Sequence, residues 1–374
     1  MAVVSAPILF RYKEQMPSET TIHTPDDAQL DELCTRLRAL STDLDRSGHW
    51  PEEQLRLCGE YGVYRWFLPT EWGGLDWNEE QVVRGYLKLS AACLTTTFIL
   101  TQRTGGCRRI VASDNATLQE RYLPRLASGE CFTTLGISHL TTSRQHLQRP
   151  VLLASETSGG YRLEGFSPWV TGAAHAEIVV TGATLADGRQ ILLAVPTEPA
   201  EIAAGEPAAL IGLMSSHTGP LNFDAAEVPE EFVVAGPVEN LMQGGGGGAT
   251  GGLQTSTLAV GLAREAIDYL ASEAEHRDEL ADARESLEAE YQQIESELLA
   301  MAAGRSICSN EAMRTQANSL VNRAAQAALA ASKGAGYVIG HPAGRMCREA
   351  LFFHVWSCPQ PVLQASLCEL AGIE

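Results

Sequence analysis

The feature that most restricts how this chain can fold is its hydrophobic periodicity, which changes twice along the 374 residues. From Asp26 to about Glu130, apolar residues recur at the spacing of one helix face. Pro51 and the Trp72–Gly74 turn interrupt this pattern. We therefore predict a segment made of helices, whose first apolar stripe contains Leu30, Leu33, Leu37 and Leu40.

Between about Cys131 and Met242 the pattern changes to short β-rich runs. Glu177–Val180 and Gln190–Val195 are examples, and turns rich in Gly, Pro and Asp separate such runs. Short apolar runs with these boundaries are typical of strands. The middle of the chain is therefore predicted to be a compact β domain.

Long helical patterns return between Leu253 and about Lys333, with acidic residues on the face opposite the apolar one. The glycine run Gly244–Gly248 precedes them. Because this run lacks the strand-to-helix context of a dinucleotide-binding motif, we interpret it as a flexible connection. The end of the chain is predicted to be a bundle of long helices, with apolar positions at Leu280, Leu287, Ile294 and Leu298.

The charge balance excludes several classes of partner. The chain has 27 Lys and Arg against 46 Asp and Glu, a formal net charge of -19. Such a charge repels nucleic-acid backbones and anionic membrane surfaces, so we expect no nucleic-acid partner. It also repels the phosphates of coenzyme A, and a CoA thioester would need a local basic pocket.

The termini and the cysteines bear on location and on metal binding. Met1–Phe10 is apolar but lacks the basic start and cleavage site of a secretory signal, and no run is long enough for a membrane span. We therefore expect a cytoplasmic protein without membrane insertion. The nine cysteines form no CxxC pair and no set with histidines, so we predict neither a metal site nor a disulfide framework.

Three stretches resemble motifs of a known family. The turn Phe67–Leu75, the helix end Tyr122–Glu130 and the β-domain stretch Gly160–Ala173 are similar to motifs of the acyl-CoA dehydrogenase family. The resemblance covers nearly the whole chain and implies a protein that is mostly α with a central β domain. Its parts would be an N-terminal helical domain, a middle β-barrel-like domain and a C-terminal four-helix bundle, over residues 1–130, 131–242 and 243–374.

The resemblance implies FAD as the cofactor and assigns two residues to the flavin. Trp169 would pack on the isoalloxazine, and the Thr171 hydroxyl would bond near flavin N5. A flavin that accepts a hydride needs an apolar plate and a donor at N5, so these residue types suit the role. An ordinary tryptophan of the β-domain core is the alternative interpretation of Trp169.

The loop Gly136–Arg144 corresponds to a second flavin-contacting segment of the family. Ser138 and Ser143 would preserve hydroxyls that contact the cofactor. The Glu, Pro and Gly of the family motif are replaced, which predicts a different loop shape.

Contacts to the dinucleotide phosphates are implied in the last third. Arg277 would reach the FAD pyrophosphate of a neighbouring subunit, although a solvated ion pair is an alternative role for it. Gly334 and Gly336 would let the backbone approach the phosphates. An FAD shared between subunits implies a homodimer or a homotetramer.

The glutamate that removes a substrate proton in ordinary members of the family is missing. The motif Arg345–Ala350 fixes the register, and the position of the base holds Ser357, beside Trp356. In a minority of the family the base lies near Gly251, where this chain has no carboxylate. His354 precedes the serine by one helical turn and could contact it. The catalytic base is therefore unknown, and Trp356, Ser357 and His354 are candidates for the substrate pocket.

Three functions remain open from the sequence. The first is an FAD enzyme that oxidises or otherwise transforms an acyl thioester, of CoA or a carrier protein, or a related small molecule. The second is a flavin-dependent monooxygenase of the same fold, which needs no carboxylate base. The third is a non-catalytic family member that serves as a subunit.

Overall fold

The computed structural model describes residues 20–141, 150–243 and 252–373. The first segment begins with five helices. Leu30, Leu33 and Leu37 of the first are fully buried, as their helical spacing predicts. A capping box between Asn78 and Gln81 starts the third helix. The helices are α1 (Ala28–Ser47), α2 (Glu52–Glu60), α3 (Glu79–Ala92), α4 (Leu94–Val111) and α5 (Ala116–Ser128).

The end of the first segment and the middle segment together form one mixed sheet and a short helix, α6 (Ser138–Thr141). The strands are β1 (Thr133–Gly136), β2 (Leu152–Thr157), β3 (Gly160–Thr171), β4 (Ile178–Leu185), β5 (Gln190–Pro196), β6 (Ile202–Ala204), β7 (Thr218–Pro229) and β8 (Val233–Val238). Their order is β6-β7-β3-β2-β4-β5-β8, and β1 pairs in parallel with β4. Both faces of β4 are covered, since all but one of its residues are buried.

The last segment consists of helices that pack against the first segment. They are α7 (Gln254–Ala274), α8 (Ala281–Ala302), α9 (Asn310–Ser332), α10 (Pro342–Ala350) and α11 (Gln360–Ala371). The Ser90 hydroxyl of α3 donates to the Leu258 carbonyl of α7 over 2.8 Å, between two helices that are far apart in sequence. The N-terminal and C-terminal helices share one apolar core, and the β domain forms a second core with α4 and α5.

The predicted fold class is confirmed: the chain is mostly helical, with a β domain between an N-terminal and a C-terminal helical part. The exact domain boundaries remain a prediction. The glycine run 244–248 lies outside the described residues. Within the described ranges, no helix combines the length and the apolar character needed to cross a bilayer.

Candidate functional site

The end of β3 presents a tryptophan to the surface. The pairing of β3 with β7 shifts register between Ser167 and Val170, which is the mark of a β-bulge. The bulge lies at Trp169, whose side chain is 47% exposed, while Val170 beside it is fully buried. This exposure argues against a core role for the indole and leaves a large apolar surface available for a planar ligand.

Thr171, two residues further, is buried and hydrogen-bonded. Its hydroxyl oxygen lies 2.9 Å from that of Thr218, which is directly opposite on β7. The Thr218 oxygen lies 2.9 Å from the Ser216 hydroxyl oxygen. Three hydroxyls therefore form a chain that begins at Thr171, two residues after Trp169.

Ser138 begins α6, close to the same strand. The Gly136 carbonyl at the end of β1 accepts hydrogen bonds from Ser167 of β3, over 3.1 Å, and from Thr181 of β4, over 2.6 Å. These bonds hold the start of α6 against the sheet. The Ser138 hydroxyl oxygen is enclosed and has no hydrogen-bond partner among the residues that the structure describes. Because buried polar groups are normally paired, this hydroxyl is a candidate partner for a ligand atom.

His139 adds a second unpaired group beside the first. Its Nε2 lies 2.7 Å from the Gly182 carbonyl oxygen and therefore carries the hydrogen. Nδ1 is then an acceptor, and it is buried without a partner in the described part of the chain. Burial lowers the pKa of His139, which keeps the ring neutral. A donor-acceptor pair of this kind fits the pyrimidine edge of a flavin, which offers carbonyl acceptors and one N–H donor.

Arg277 follows α7 and makes its contacts within its own chain. Its guanidinium donates to the Ala331 carbonyl over 2.6 Å and lies 3.3 Å from Glu273 and 3.2 Å from Glu279. Within the single chain, Arg277 therefore makes the ion pairs of the alternative interpretation. A contact to the cofactor of a neighbouring subunit stays a prediction and would compete with the two glutamates.

Gly334 and Gly336, which are predicted to let the backbone approach the FAD phosphates, differ in their surroundings. A side chain at Gly334 would meet open space, whereas one at Gly336 would collide with Ser332. Only Gly336 is thus required by packing. The next three residues, Tyr337 to Ile339, are all exposed and apolar. Ser143 and Gly251 lie outside the described residues, so their predicted roles stay predictions.

Ser357, the predicted position of the base, lies at the junction between α10 and α11. Ser357 has a φ of 44°, which is unusual for a residue with a side chain. The Trp356 ring stacks on Phe352 at 5.1 Å and meets the edge of Phe98 of α4 at 5.0 Å. No hydrogen bond joins His354 to Ser357, and burial lowers the pKa of His354. The junction is thus an apolar wall without a base at Ser357.

Two polar residues of α9 hold this junction from below. Arg314 Nη2 donates to the carbonyls of Phe353 and Trp356 over 3.0 Å each, and the Asn318 amide donates to the Phe353 carbonyl over 3.0 Å. Arg314 is buried without a carboxylate partner in the described chain, and this burial lowers its pKa to about 10. The backbone around Ser357 is therefore fixed by charge-assisted hydrogen bonds.

A buried carboxylate lies in α10, near the candidate site. Burial raises the pKa of Glu349 to about 7. One of its oxygens accepts from Arg345 over 2.7 Å and the other from Thr95 of α4 over 3.2 Å. Arg345 also pairs with Glu265 of α7. Glu349 and Arg345 together tie α10 to α4 and α7. Because both Glu349 oxygens are occupied, we assign this carboxylate no role as a base.

Sequence reasoning missed Thr218, Ser216, His139 and Arg314. Thr218 is 47 residues from its partner Thr171, and Arg314 is 42 residues from Trp356. No local pattern marks such pairs. A hint was available only for His139, which directly follows a predicted flavin contact.

Comparisons with known proteins agree with this fold. Residues 30–130 match the family model described as acyl-CoA dehydrogenase, N-terminal domain. The probable acyl-CoA dehydrogenase YngJ of Bacillus subtilis is 22% identical over 339 residues, which cover 83% of this chain and 87% of that protein.

Two solved structures have a similar fold. A glutaryl-CoA dehydrogenase from Mycobacterium smegmatis in complex with FADH2 gives a TM-score of 0.76 at 15% identity, over 93% of this chain and 96% of that one. The prolyl acyl carrier protein oxidase AnaB gives 0.77 at 13% identity, over 93% and 100% of the two chains. The N-terminal domain therefore matches the acyl-CoA dehydrogenase family, and the chain as a whole has the fold of these enzymes.

Proposed function

We propose that this chain is an FAD-dependent oxidoreductase that acts on an acyl thioester or a related small substrate without the usual glutamate base. The observation that carries the proposal is the surface at the end of β3. There an exposed Trp169, a hydrogen-bonded Thr171 and an unpaired Ser138 hydroxyl lie on neighbouring elements. An apolar plate beside unsatisfied polar groups is what a bound flavin requires.

Four side chains of this surface would contact the flavin. When bound, FAD supplies a hydride acceptor at N5. The Trp169 indole covers one face of the ring, and the Thr171 hydroxyl donates near N5. Ser138 and His139 satisfy the pyrimidine edge, with His139 Nδ1 as the acceptor.

The substrate side is formed by the α10–α11 junction and α4. Phe98, Phe352 and Trp356 provide an apolar wall suited to an acyl group. Ser357 cannot remove an α-proton at a useful rate, since none of the residues that the structure describes bonds to its hydroxyl to activate it. We therefore expect ordinary dehydrogenation of acyl-CoA to be absent or very slow.

The substrate carrier is either CoA or a carrier protein. The net charge of -19 disfavours the phosphates of CoA, and one protein of similar fold is named as an oxidase of a prolyl acyl carrier protein. We expect the protein to act in the cytoplasm as a homodimer or homotetramer. The exposed apolar residues Tyr337, Val338 and Ile339, next to the phosphate glycines, would be covered in such an assembly.

Two other functions have specific support. A flavin-dependent monooxygenase of this fold is favoured by the serine at the base position, because oxygen activation needs no carboxylate. A non-catalytic subunit is favoured by Arg277, whose guanidinium is already satisfied within the chain.

The test begins with the visible spectrum of purified protein after incubation with FAD. A flavin band supports both enzymes, and a protein that takes up no FAD contradicts them in favour of the non-catalytic subunit. The flavoprotein is then mixed anaerobically with matched acyl-CoA and acyl-carrier-protein thioesters. Slow, substrate-dependent bleaching supports the proposal, whereas rapid bleaching by acyl-CoA would mean that a base exists elsewhere. A transient oxygen adduct of the reduced protein that is consumed by substrate supports the monooxygenase.

A further inference from the structure

The hydroxyls of Thr171, Thr218 and Ser216 form a hydrogen-bonded row inside the β domain. Their side chains are 3%, 8% and 0% exposed, respectively. The two oxygen-oxygen distances are both 2.9 Å. Among the described residues, Thr218 is the hydrogen-bond partner of both end hydroxyls. The row therefore consists of three donors that share two hydrogen bonds.

The proton count limits how this row can be arranged. Each hydroxyl has one proton, so two protons are used within the row and one is left over. The spare proton can lie on Ser216, on Thr218 or on Thr171. On Ser216 or Thr218 it would be a buried donor without an acceptor, which is costly. On Thr171 it is buried in the same way, but there the proposed flavin would supply an acceptor.

We propose that Thr218 and Ser216 are positioning residues that make the Thr171 hydroxyl a donor toward flavin N5. This inference rests on the proposed flavin site. With an acceptor at N5, all three protons are satisfied in one direction only: Ser216 donates to Thr218, Thr218 to Thr171 and Thr171 to the flavin. Hydrogen bonds in such a chain polarise one another, so Thr171 donates more strongly than an isolated threonine.

The row is also held in place by the N-terminal helices. The Ser215 hydroxyl donates to the Leu44 carbonyl of α1 over 2.9 Å, and His217 Nε2 lies 3.0 Å from the Gly48 carbonyl. His217 has a φ of 45°, so the turn before Thr218 is tightly bent. The register of β3 and β7 then sets Thr218 opposite Thr171.

Neighbouring serines provide a matched pair of variants. Ser215 and Ser216 are adjacent and both buried, but only Ser216 bonds to the row, whereas Ser215 bonds to α1. The readout is the Raman band of the flavin C4a=N5 stretch in FAD-loaded protein. Hydrogen bonding at N5 moves this band, and a merely structural change elsewhere does not.

Thr171→Val should shift the band toward its position for flavin in an aprotic solvent. Ser216→Ala and Thr218→Val should shift it in the same direction by roughly 10–30% of that amount, the share expected from lost polarisation. Thr218→Ser keeps the hydroxyl and should therefore show the native band. Ser215→Ala should also leave the band unchanged. If Thr218→Val does not fold, Ser216→Ala carries the test.

Native bands in Ser216→Ala and in Thr218→Val, together with a shifted band in Thr171→Val, would overturn the row and leave the flavin site intact. A native band in Thr171→Val, or wild-type protein that binds no FAD, would overturn both the row and the proposed flavin site.

Discussion

The end of β3 and the α10–α11 junction hold the two groups of predicted site residues, and their polar groups differ in how they are paired. At the end of β3 and the start of α6, Ser138 and His139 Nδ1 are buried without partners in the described structure. At the junction, the backbone carbonyls of Phe353 and Trp356 accept hydrogen bonds from Arg314 and Asn318. Aromatic rings pack around them.

The two regions therefore differ in the kind of ligand group that each would bind. Unpaired donors and acceptors are costly to bury, so a polar partner of matching geometry would stabilise the β3 end. The junction is complete without a ligand and offers contact surface only. The predicted flavin side therefore has unpaired hydrogen-bonding groups, whereas Ser357, at the predicted position of the base, carries no carboxylate.

The largest expected effect tests whether the hydrogen bonds of Arg314 stabilise the α10–α11 junction. Arg314→Met keeps most of the side-chain volume but removes the side-chain donor to the Trp356 carbonyl and leaves the Phe353 carbonyl with Asn318 alone. We expect a loss of about 3 kcal/mol in the free energy of unfolding, measured with urea. Arg323→Met, on the same helix but in an exposed ion pair with Glu290, should cost less than about 1 kcal/mol. Equal losses would show that the junction does not depend on Arg314.

The next effect concerns the β3 end. Trp169→Ala should weaken FAD binding by about 2 kcal/mol, roughly 30-fold in Kd, because the indole plate is lost. Its free energy of unfolding should stay within about 0.5 kcal/mol of wild type, since the ring is half exposed. FAD fluorescence titration and urea unfolding measure the two quantities.

Trp66→Phe supplies the converse control for this prediction. Trp66 is fully buried and stacks on Trp77 at 4.2 Å, in the core away from β3. Its replacement should lower stability and leave the Kd for FAD unchanged. Unaltered FAD binding by Trp169→Ala would remove Trp169 from the site.

A smaller effect tests whether the lost base can be restored. Ser357→Glu reintroduces the family residue, yet we expect less than a 10-fold gain in the rate of flavin reduction by acyl-CoA, whereas a well-positioned base contributes about 10²–10⁴-fold. The backbone at Ser357 has positive φ and is followed by Cys358 and Pro359, so the carboxylate would not be aimed correctly. Ser357→Gln is the uncharged control. A gain of 100-fold over that control would show that the junction still accepts a base.

The smallest effect concerns the contact between the β domain and the N-terminal helices. The His175 ring stacks on Trp50 at 4.1 Å, its Nε2 lies 3.1 Å from His217 Nδ1, and partial burial lowers the pKa of His175 to about 4. The unfolded chain, with an ordinary histidine pKa of about 6.5, then binds more protons between pH 6.5 and 4. Stability should fall as the pH drops through this window and level off below it.

Because the His175 ring is partly exposed, this loss should be about 1 kcal/mol or less. The measurement is urea unfolding of wild type and His175→Phe at pH 7 and pH 4.5. The variant keeps an aromatic ring but cannot gain a proton, so it should lose less stability on acidification. The same pH dependence in both proteins would rule out His175 as the group responsible.

The sequence alone predicted the order of helical and β segments, because helical and strand periodicities are local properties of the chain. It also identified the Trp169 and Thr171 pattern and the serine at position 357. Those inferences needed only residue type, spacing and resemblance. Their roles at a flavin remain predictions.

The tertiary structure decided which of these residues have unmet hydrogen bonds. Trp169 is exposed because a bulge interrupts the β3–β7 pairing, and Thr171 belongs to a hydroxyl row because the strand register sets it opposite Thr218, 47 residues away. Arg314 fixes the junction because α9 packs beneath it. Such pairings depend on how distant segments meet, and distance along the chain does not encode them.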